Sequence, residues 1–486
     1  MPFKANLLEV KILKNRLNLL ITALVFTVLS ISVQAKEKPN FIVIFTDDLG
    51  YQDVGSFGSP KIKTPNIDLM AAQGMKFTDF YAQTVCGPSR AALMTGSYPL
   101  RTAKKRNWLQ VHPFLHLNEI TIAEVLKPVG YTSGVFGKWD LAGHSQKNYD
   151  PNLWPLNQGF DYFFGTPGSN DRIVTLIRNQ QIIDKNADMS TLTKRYTDEA
   201  LSFIKRNKEQ PFFVYLAHTM PHTELAVSKE FKGTSARGLY GDVVEEIDFN
   251  VGRVLDLVKE LDLDKKTYVI FTSDNGPWHL KKEHGGSALP LRGAKTSTWE
   301  GGVRVPFIIR APSNVPAGKV SKNIATTMDL LPTFANLAGA QAPTDRIIDG
   351  IDITELIHGE KEVIPGRTFF YYQNVHLQAV RKGKWKLHLV RDADPAWAPK
   401  GWTKHSLEKD VVDIHQPLLI NLEQDIGETT NLATQHPDIV KQLLTLAKSA
   451  ANDIGDYDRG GKGARAFDPD PFRRDAKKWQ NKANKE

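Results

Sequence analysis

The chain has 486 residues, of which 41% are hydrophobic and 24% are charged. This composition is typical of a globular protein, and it excludes a largely disordered or fibrous chain. The length predicts one large domain accompanied by a smaller one, because single cores rarely grow beyond about 250–300 residues.

The formal net charge of +8 is concentrated at the two ends of the chain. The first 35 residues hold four basic residues and one acidic residue, and residues 473–486 hold six basic and two acidic residues. The body between these ends is therefore close to neutral. Because no nucleic-acid-binding motif accompanies the basic ends, we expect no nucleic acid partner.

The first 35 residues have the pattern of a secretory signal peptide. Basic residues precede a nearly continuous apolar run over residues 17–33, and the small residue Ala35 follows it. This pattern predicts cleavage and export to the periplasm or the medium. The run is short for a membrane span of roughly 20 residues. A retained anchor is therefore the less favoured alternative, and we expect no stable membrane association after cleavage.

Apolar runs alternate with amphipathic segments over residues 40–338. The predicted strands cover residues 40–46, 131–137, 211–217, 267–272 and 304–310. The predicted helices cover residues 65–73, 89–96, 121–129, 197–207, 240–261 and 328–338. Such alternation predicts an α/β fold with a mainly parallel sheet flanked by helices.

The pattern of predicted elements changes near residue 366. Short apolar runs at residues 368–372, 377–382, 385–390 and 417–421 predict strands, and residues 437–450 predict a helix. We therefore expect a catalytic α/β domain over residues 36–365 and a smaller α+β domain over residues 366–455. Residues 456–486 are rich in Gly, Asp, Lys and Arg, which predicts a flexible basic tail.

Polar residues follow the predicted strands at the points where the apolar runs stop. In open α/β sheets, functional sites lie at the carboxyl ends of the strands. The residues at such positions are Asp47, Asp48, Lys138, His218, Asp274 and Asn275. The recurrence predicts that they share one site.

The single cysteine, Cys86, cannot form a disulfide within the chain. It stands in Cys86-Gly87-Pro88-Ser89-Arg90, just before a predicted helix whose amino terminus favours an anionic reaction centre. A small buried apolar residue is the alternative interpretation of a lone cysteine.

The segment Cys86–Arg90, followed by Ala-Ala-Leu-Met-Thr-Gly, resembles the signature of the formylglycine-dependent sulfatases. Four further motifs occur in that family's order: residues 40–53, Gly137-Lys138-Trp139, Asp274-Asn275-Gly276, and residues 291–295 with 299–302. The resemblance covers nearly all of residues 39–450. It implies an alkaline-phosphatase-like fold and a sulfuric ester hydrolase similar to exported bacterial arylsulfatases.

In that family the cysteine is oxidised to formylglycine (3-oxoalanine) by a formylglycine-generating enzyme, which would be a partner of this chain during maturation. The resemblance implies that the aldehyde adds water and that one diol oxygen attacks sulfur while the alcohol leaves. The other diol oxygen then loses its proton, the carbonyl re-forms and sulfate is expelled. Covalent catalysis of this kind divides one hard step into two easier ones.

Hard oxygen ligands follow two of the predicted strands. Asp47, Asp48, Asp274 and Asn275, completed by the modified Cys86, suit Ca²⁺, which takes 6–8 oxygens, better than Mg²⁺. No Cys/His cluster supports zinc. Taken alone, the same residue types are equally compatible with turns or helix caps.

The resemblance also assigns roles to four side chains near this set. Arg90, one helical turn beyond Cys86, would support the diol, and Lys138 and Lys295 would hold the sulfate oxygens. His218 would protonate the leaving alcohol, since imidazole titrates near neutral pH. A surface ion pair for Arg90 and a structural histidine at position 218 are the alternatives.

One position departs from the family pattern. Many sulfatases have Gly-Lys-Trp-His-Leu-Gly where this chain has Gly137-Lys138-Trp139-Asp140-Leu141-Ala142-Gly143-His144. Asp140 as the proton acceptor, or His144 reaching back, could replace the missing histidine. His222 and His284 flank the predicted pocket and are candidates for binding the organic part of the substrate.

Export and the resemblance together favour a sulfated carbohydrate as substrate, either a polysaccharide or its oligosaccharides. Two alternatives stay open. A phosphoester or phosphonate hydrolase could use the same metal site, because phosphate and sulfate are both tetrahedral anions. A chain that is never oxidised at Cys86 would bind sulfated glycans without cleaving them.

Overall fold

The computed structural model describes residues 37–102, 115–143, 150–171, 173–398 and 403–465, together with residues 11 and 14. The rest of the predicted signal peptide, His144 and residues 466–486 of the predicted tail lie outside the described residues. Within the described part, no helix is both long enough and apolar enough to cross a membrane.

Eighteen strands are described. They are β1 Asn40–Thr46, β2 Met75–Phe77, β3 Phe80–Tyr81, β4 Thr132–Lys138, β5 Tyr162–Thr166, β6 Leu176–Arg178, β7 Gln181–Asp184, β8 Phe212–Ala217, β9 Thr267–Ser273, β10 Phe307–Arg310, β11 Lys319–Ser321, β12 Ala325–Thr326, β13 Thr368–Gln373, β14 His376–Lys382, β15 Trp385–His388, β16 Leu418–Asn421, β17 Gly455–Asp456 and β18 Arg459–Gly460.

Ten α-helices are described with them. They are α1 Pro65–Ala72, α2 Cys86–Thr95, α3 Pro99–Thr102, α4 Ile122–Leu126, α5 Leu192–Asn207, α6 Leu239–Glu260, α7 Glu300–Val303, α8 Leu330–Ala338, α9 Thr354–Ile357 and α10 Pro437–Asp453.

A ten-stranded mixed sheet is the centre of the fold, with the order β11-β2-β10-β9-β1-β8-β4-β5-β6-β7. Its five middle strands, β9, β1, β8, β4 and β5, are parallel to their neighbours within that set. The predicted α/β architecture is confirmed. Antiparallel pairings appear on both sides of this parallel centre, where β10 pairs with β9 and β6 pairs with β5.

Both faces of the large sheet are covered. Along β1, Phe41, Val43 and Phe45 belong to one hydrophobic cluster, whereas Ile42 and Ile44 belong to a second one. This alternation follows from the two-residue period of a strand. Helices α4 and α8 contribute to the first cluster, and α1, α5 and α6 contribute to the second.

The carboxyl-terminal region builds a smaller antiparallel sheet in the order β13-β14-β15-β16. Helix α10 packs on it through apolar residues that share a cluster with β14. The predicted α+β character is confirmed, while the boundary at residue 365 stays a prediction. At the boundary between that domain and the predicted tail, β17 and β18 pair as a short hairpin.

Three predicted elements begin three or more residues away from their predicted starts. Helix α2 begins at Cys86 rather than at Ser89, which places the cysteine in the first turn. Helix α5 begins at Leu192, five residues before the predicted start. Strand β10 begins only at Phe307, because Pro306 has no N–H to donate to a ladder.

A buried charge network connects the segment that leads into β10 of the large sheet with the small sheet. The carboxylate of Glu300 lies 2.9 Å from Lys386 Nζ and accepts hydrogen bonds from the hydroxyls of Tyr81 and Tyr371. Arg304 Nη1 lies 3.3 Å from the same carboxylate. Glu300 begins α7, directly after the loop that carries Lys295, so the network anchors one wall of the site described next.

Candidate active site

Cys86 occupies the first residue of α2, and its side chain is almost completely buried. Its thiol donates a hydrogen bond to Asp47 Oδ1 at 3.2 Å, and Asp48 Oδ1 lies 3.9 Å from the sulfur. Lys295 Nζ lies 3.4 Å from the sulfur on another side. The cysteine therefore sits between two carboxylates and an ammonium group at the amino end of a helix.

Two neighbouring strands deliver the acidic residues. Thr46 and Ser273 are paired in the parallel register of β1 and β9, so the residues that follow them meet at one edge. Asp48 N–H donates to Asp274 Oδ1 at 3.1 Å, and Asn275 Nδ2 donates to Asp48 Oδ1 at 2.7 Å. The residues at the two strand ends are thus in direct contact.

The site offers ligands for a hard cation. Donor atoms of Asp47, Asp48, Cys86 and His222 all lie within 4.8 Å of one another. Asn275 Oδ1 is buried and has no hydrogen-bond partner within the described residues. A buried amide oxygen without a partner costs free energy unless something else binds it. The set of carboxylate and amide oxygens fits a divalent cation such as Ca²⁺.

Asp274, one of the predicted metal ligands, has other contacts in addition. Asp274 Oδ2 accepts a hydrogen bond from Arg90 Nη2 at 2.8 Å and its Oδ1 accepts from Asp48. His222, which the sequence placed with the organic part of the substrate, belongs to the compact group beside Cys86. The structure therefore brings all five predicted ligands together and adds a histidine to them.

Three buried cations face the buried acids. Lys138 Nζ lies 2.6 Å from Asp47 Oδ2, and Lys295 Nζ lies 2.7 Å from Asp48 Oδ1. Arg90 Nη2 lies 3.4 Å from Asp47 Oδ2, and Arg90 Nη1 also donates to the carbonyl of Lys138 at 3.1 Å. Ammonium and guanidinium groups held this way can receive the oxygens of a tetrahedral anion.

The charges shift the pKa values of the central groups. Burial raises the pKa of the Cys86 thiol well above its ordinary value, and Asp274 and Asp47 raise it further. Burial would also raise the pKa of Asp47, but the combined attraction of four neighbouring cationic groups, of which Lys138 contributes most, outweighs it and the pKa is lowered. The pKa of Asp274 is raised to about 7 by burial and by the charge of Asp47. The unmodified thiol is consequently held in its protonated form.

The two histidines after β8 have different surroundings. His218 is completely buried, and neither of its ring nitrogens has a hydrogen-bond partner within the described residues. Burial lowers its pKa to about 3. His222 Nε2 lies 3.7 Å from Asp48 Oδ2, and its Nδ1 lies 3.5 Å from Asp171 Oδ1. His222 is the one that reaches the acidic cluster.

Asp140 lies directly beside one of the buried cations. Its Oδ2 is 3.8 Å from Lys138 Nζ, and its backbone N–H donates to the carbonyl of Pro167 at 2.9 Å. Its φ of 56° is in the left-handed region. The alternative residue, His144, lies outside the described residues, and His284 is exposed at the end of a short 3₁₀ segment.

The sequence reasoning missed several neighbours of the site. Ser169 and Asp171 approach His222 Nδ1 from the segment after β5. Residues 162–166 are largely apolar and polar residues follow them, so the strand-end rule could have found this segment. Tyr215, whose hydroxyl accepts from Arg90 Nη1 at 3.2 Å, carries no such signal because it lies inside an apolar strand.

Comparison with known families agrees with this geometry. A family model described as "Sulfatase" matches residues 39–340, and one described as the C-terminal region of aryl-sulfatase matches residues 365–461. The site residues before position 340 all lie within the first match.

Similar proteins cover most of the chain. The N-acetylgalactosamine-6-sulfatase of Canis lupus familiaris is 36% identical over 85% of this chain and 86% of its own length. The steryl-sulfatase of Homo sapiens is 35% identical over 86% and 88%. A solved structure concerning the metabolism of multiple glycosaminoglycans by Bacteroides thetaiotaomicron is 28% identical, with a TM-score of 0.75 over 85% of this chain and 99% of that chain.

Proposed function

This chain belongs to the sulfatase family and is a sulfuric ester hydrolase, and on that premise we propose that it releases sulfate from a sulfated carbohydrate, using a formylglycine formed from Cys86 together with Ca²⁺. The observation that carries the proposal is the position of Cys86 between Asp47, Asp48 and Lys295 at the start of α2. A thiol held protonated in this way is a poor nucleophile, so position 86 needs modification before it can attack sulfur.

Formylglycine would supply a hydrated aldehyde oxygen as nucleophile, and Ca²⁺ would supply positive charge beside it. Asp47, Asp48, Asp274 and Asn275 are the residues that would hold the ion. The oxygen of Asn275, which has no partner in the described part of the chain, and the close approach of the acids support this assignment. A formylglycine-generating enzyme would be the partner that matures the chain.

Lys138 and Lys295 would bind the sulfate oxygens. Both ammonium groups are buried and already lie against the acids that flank Cys86. Arg90 would orient the site, because it joins Asp274, Asp47 and the backbone of Lys138 in one set of contacts. These cations would neutralise the sulfate group in a buried site, where electrostatic interactions are stronger than in water.

We propose His222, rather than His218, as the residue that donates a proton to the leaving alcohol. His222 reaches the cluster around Cys86, whereas the ring of His218 contacts no polar group of the described residues. Burial lowers the pKa of both histidines. For proton acceptance from position 86 we retain Asp140, which lies 3.8 Å from Lys138 Nζ. If Asp140→Asn kept full turnover while His144→Ala lost it, the assignment to Asp140 would be wrong.

A carbohydrate substrate has two supports. The similar proteins include a sulfatase of N-acetylgalactosamine and a structure connected with glycosaminoglycans. In addition, the half-buried indole of Trp278 lies 5.5 Å from the ring of His222 and beneath Lys295 Nζ, where it could contact a sugar ring. The human steryl-sulfatase among the relatives makes a steroid sulfate the competing substrate class.

The decisive experiment is a screen of sulfated oligosaccharides and steroid sulfates with free sulfate as the readout. The parent protein should be produced in a host that can modify the motif, and intact mass should show the lighter aldehyde form. Cys86→Ala should release no sulfate. Release by Cys86→Ala at the parent rate would overturn the role of position 86.

A phosphoester or phosphonate hydrolase is the second candidate within the same chemistry. Matched aryl sulfate and aryl phosphate substrates would separate the two, since the buried lysines alone do not distinguish two tetrahedral anions. We expect the higher kcat/KM for the sulfate. Exclusive recovery of the thiol form from a competent host would instead favour a glycan-binding protein without turnover.

A further inference from the structure

We propose that a basic groove between the two sheets binds a segment of a sulfated polysaccharide chain that lies outside the catalytic pocket. The groove has a volume of about 820 Å³ and shares no lining residue with the active site described above. It runs between β11, at the edge of the large sheet, and the turn that joins β14 to β15 in the small sheet. The proposal deepens the proposed function, on which its choice of ligand rests.

Basic residues outnumber acidic residues in the lining of the groove. Its lining includes the basic residues Lys319, Lys322, Lys361, Arg367, Arg381, Lys382 and Lys384. The acidic residues of the lining are Glu362 and Glu423. This excess contrasts with the body of the chain, which is close to neutral, and it gives the groove a potential that attracts polyanions.

Four of these lysines are available for a ligand. Three other basic residues already have acidic partners: Lys361 pairs with Glu355, Arg367 with Asp329 and Arg381 with Asp79. In the described part of the chain, no carboxylate pairs with the remaining four side chains. These are Lys319, Lys322, Lys382 and Lys384, all exposed or half-buried.

An aromatic ring lies among these lysines. Trp385 is half-buried at the start of β15, with Lys384 Nζ 5.6 Å from its ring and the ring of His436 4.8 Å away. An indole ring packs well against a flat, partly apolar surface while part of the ring stays exposed to solvent. A sugar ring offers such a surface, and its sulfate groups would reach the flanking ammonium groups.

Protection of a sheet edge explains only half of this pattern. Lysines on edge strands discourage pairing with other chains, which accounts for Lys319 and Lys322 around the exposed Val320. Lys382 and Lys384 flank a turn between β14 and β15, and β15 is an inner strand of its sheet. Ligand binding accounts for both pairs of lysines.

The test compares two variants with the same change of net charge. The groove variant is Lys319→Gln, Lys322→Gln, Lys382→Gln and Lys384→Gln. The control variant is Lys205→Gln, Lys232→Gln, Lys259→Gln and Lys265→Gln, which replaces exposed lysines outside the groove. Binding of the full chain is measured against chondroitin 6-sulfate and against duplex DNA, with hydrolysis of p-nitrophenyl sulfate measured in parallel.

We expect the groove variant to bind chondroitin 6-sulfate at least about tenfold more weakly than the parent, with the difference shrinking as salt is raised. The control variant should bind like the parent, and all three proteins should hydrolyse p-nitrophenyl sulfate equally. Equal polysaccharide binding by the groove variant and the parent would overturn the proposal. Equally tight binding of duplex DNA, lost in the same variant, would overturn the choice of ligand.

The two proposals fail separately. If the parent releases no sulfate from p-nitrophenyl sulfate or from any substrate of the screen described above, the proposed catalytic function fails, while polysaccharide binding still reports on the groove. If hydrolysis is normal and only groove binding is absent, the inference about the groove fails alone.

Discussion

Cys86 lies in surroundings that suppress ordinary thiol chemistry. Two carboxylates lie within 4 Å of its sulfur, and burial raises its pKa well above the usual value. Reactive cysteines in proteins are instead found in electropositive, partly exposed places where the thiolate is stabilised. The geometry therefore favours a residue whose catalytic form is an oxygen nucleophile, such as hydrated formylglycine. A cation bound by Asp47 and Asp48 can polarise that oxygen.

Replacement of the two histidines after β8 should separate proton donation from structural support. We expect His222→Ala to lower kcat/KM for an alkyl or sugar sulfate by about 10²- to 10⁴-fold. The loss should be much smaller with p-nitrophenyl sulfate, because its phenolate leaves without a proton. The readout is the ratio of the two substrates, which a merely structural change would not alter.

His218→Ala is the matched comparison. Because His218 is enclosed and has no polar partner within the described residues, its replacement should lower Tm and change both substrates alike. A substrate-dependent loss in His218→Ala, together with its absence in His222→Ala, would restore the sequence-based assignment of proton donation to His218.

At the scale of single elements, the sequence predicted the positions of the strands better than the directions in which side chains point. Apolar runs ended at Asp47, Lys138 and Asp274, and these residues meet because parallel strands end at the same edge of a sheet. The same rule selected His218, which follows β8 directly. It could not find His222, whose approach to Asp48 depends on the path of a loop that carries no periodic signal.

Gly276, which follows Asp274 and Asn275, packs closely against α7, and this predicts that substitution there is destabilising. A Cβ atom added there would lie 1.8 Å from the carbonyl oxygen of Gly301, where no Cβ can fit. Gly276→Ala should therefore displace the adjacent Asp274–Asn275 segment or α7 and cost about 1–3 kcal/mol in the free energy of unfolding. Thermal unfolding and sulfate release should both decline.

Gly427→Ala serves as the control for this substitution, since its nearest contact would be an ordinary 3.7 Å. It should leave Tm and turnover close to the parent values. A Gly276→Ala protein with unchanged turnover and Tm would contradict the tight packing of Gly276 against Gly301.

The charge network at Glu300 predicts a second effect at the element scale. Lys386, Arg381 and Arg304 outweigh the burial that would raise its pKa, so the carboxylate is held in its charged form. Glu300→Gln would leave these three buried cations with only Asp79 and Glu428 as counter-charges, and such a charge imbalance costs about 3–5 kcal/mol in the free energy of unfolding. Denaturant unfolding would measure the loss.

A surface ion pair provides the reference for that measurement. Lys127 Nζ lies 2.7 Å from Asp161 Oδ1 in a largely exposed pair, and Lys127→Gln should cost less than about 1 kcal/mol. Equal losses in the two variants would mean that the buried network contributes no more to stability than a surface pair does.

At the scale of the whole molecule, a charged network joins the small sheet to the segment before β10, and the catalytic pocket and the basic groove draw on different charged residues. The pocket encloses its cations against acids beside Cys86, whereas the groove leaves four lysines available on the surface. Net charge alone could not reveal this division, because the terminal segments supply most of the +8 and the body is close to neutral.

Calcium binding should stabilise the entire folded chain, because its proposed ligands come from two strands at the centre of the large sheet and meet only in the native state. A ligand that binds only the folded state stabilises it by about 2.7 kcal/mol when its concentration is 100 times Kd. We expect chelator treatment to lower Tm and abolish sulfate release. Added Ca²⁺ should restore both more effectively than Mg²⁺, since an acid-rich set of oxygen ligands suits the larger ion.

Asn275→Ala tests whether the response comes from this site. It removes the amide oxygen that has no partner within the described residues, so it should weaken the rise of Tm with Ca²⁺ and shift the restoration of activity to higher Ca²⁺ concentrations. Asn314→Ala, at an exposed position, should leave both responses at the parent level. A Ca²⁺ response that is identical in parent and Asn275→Ala proteins would place the stabilising ion elsewhere on the chain.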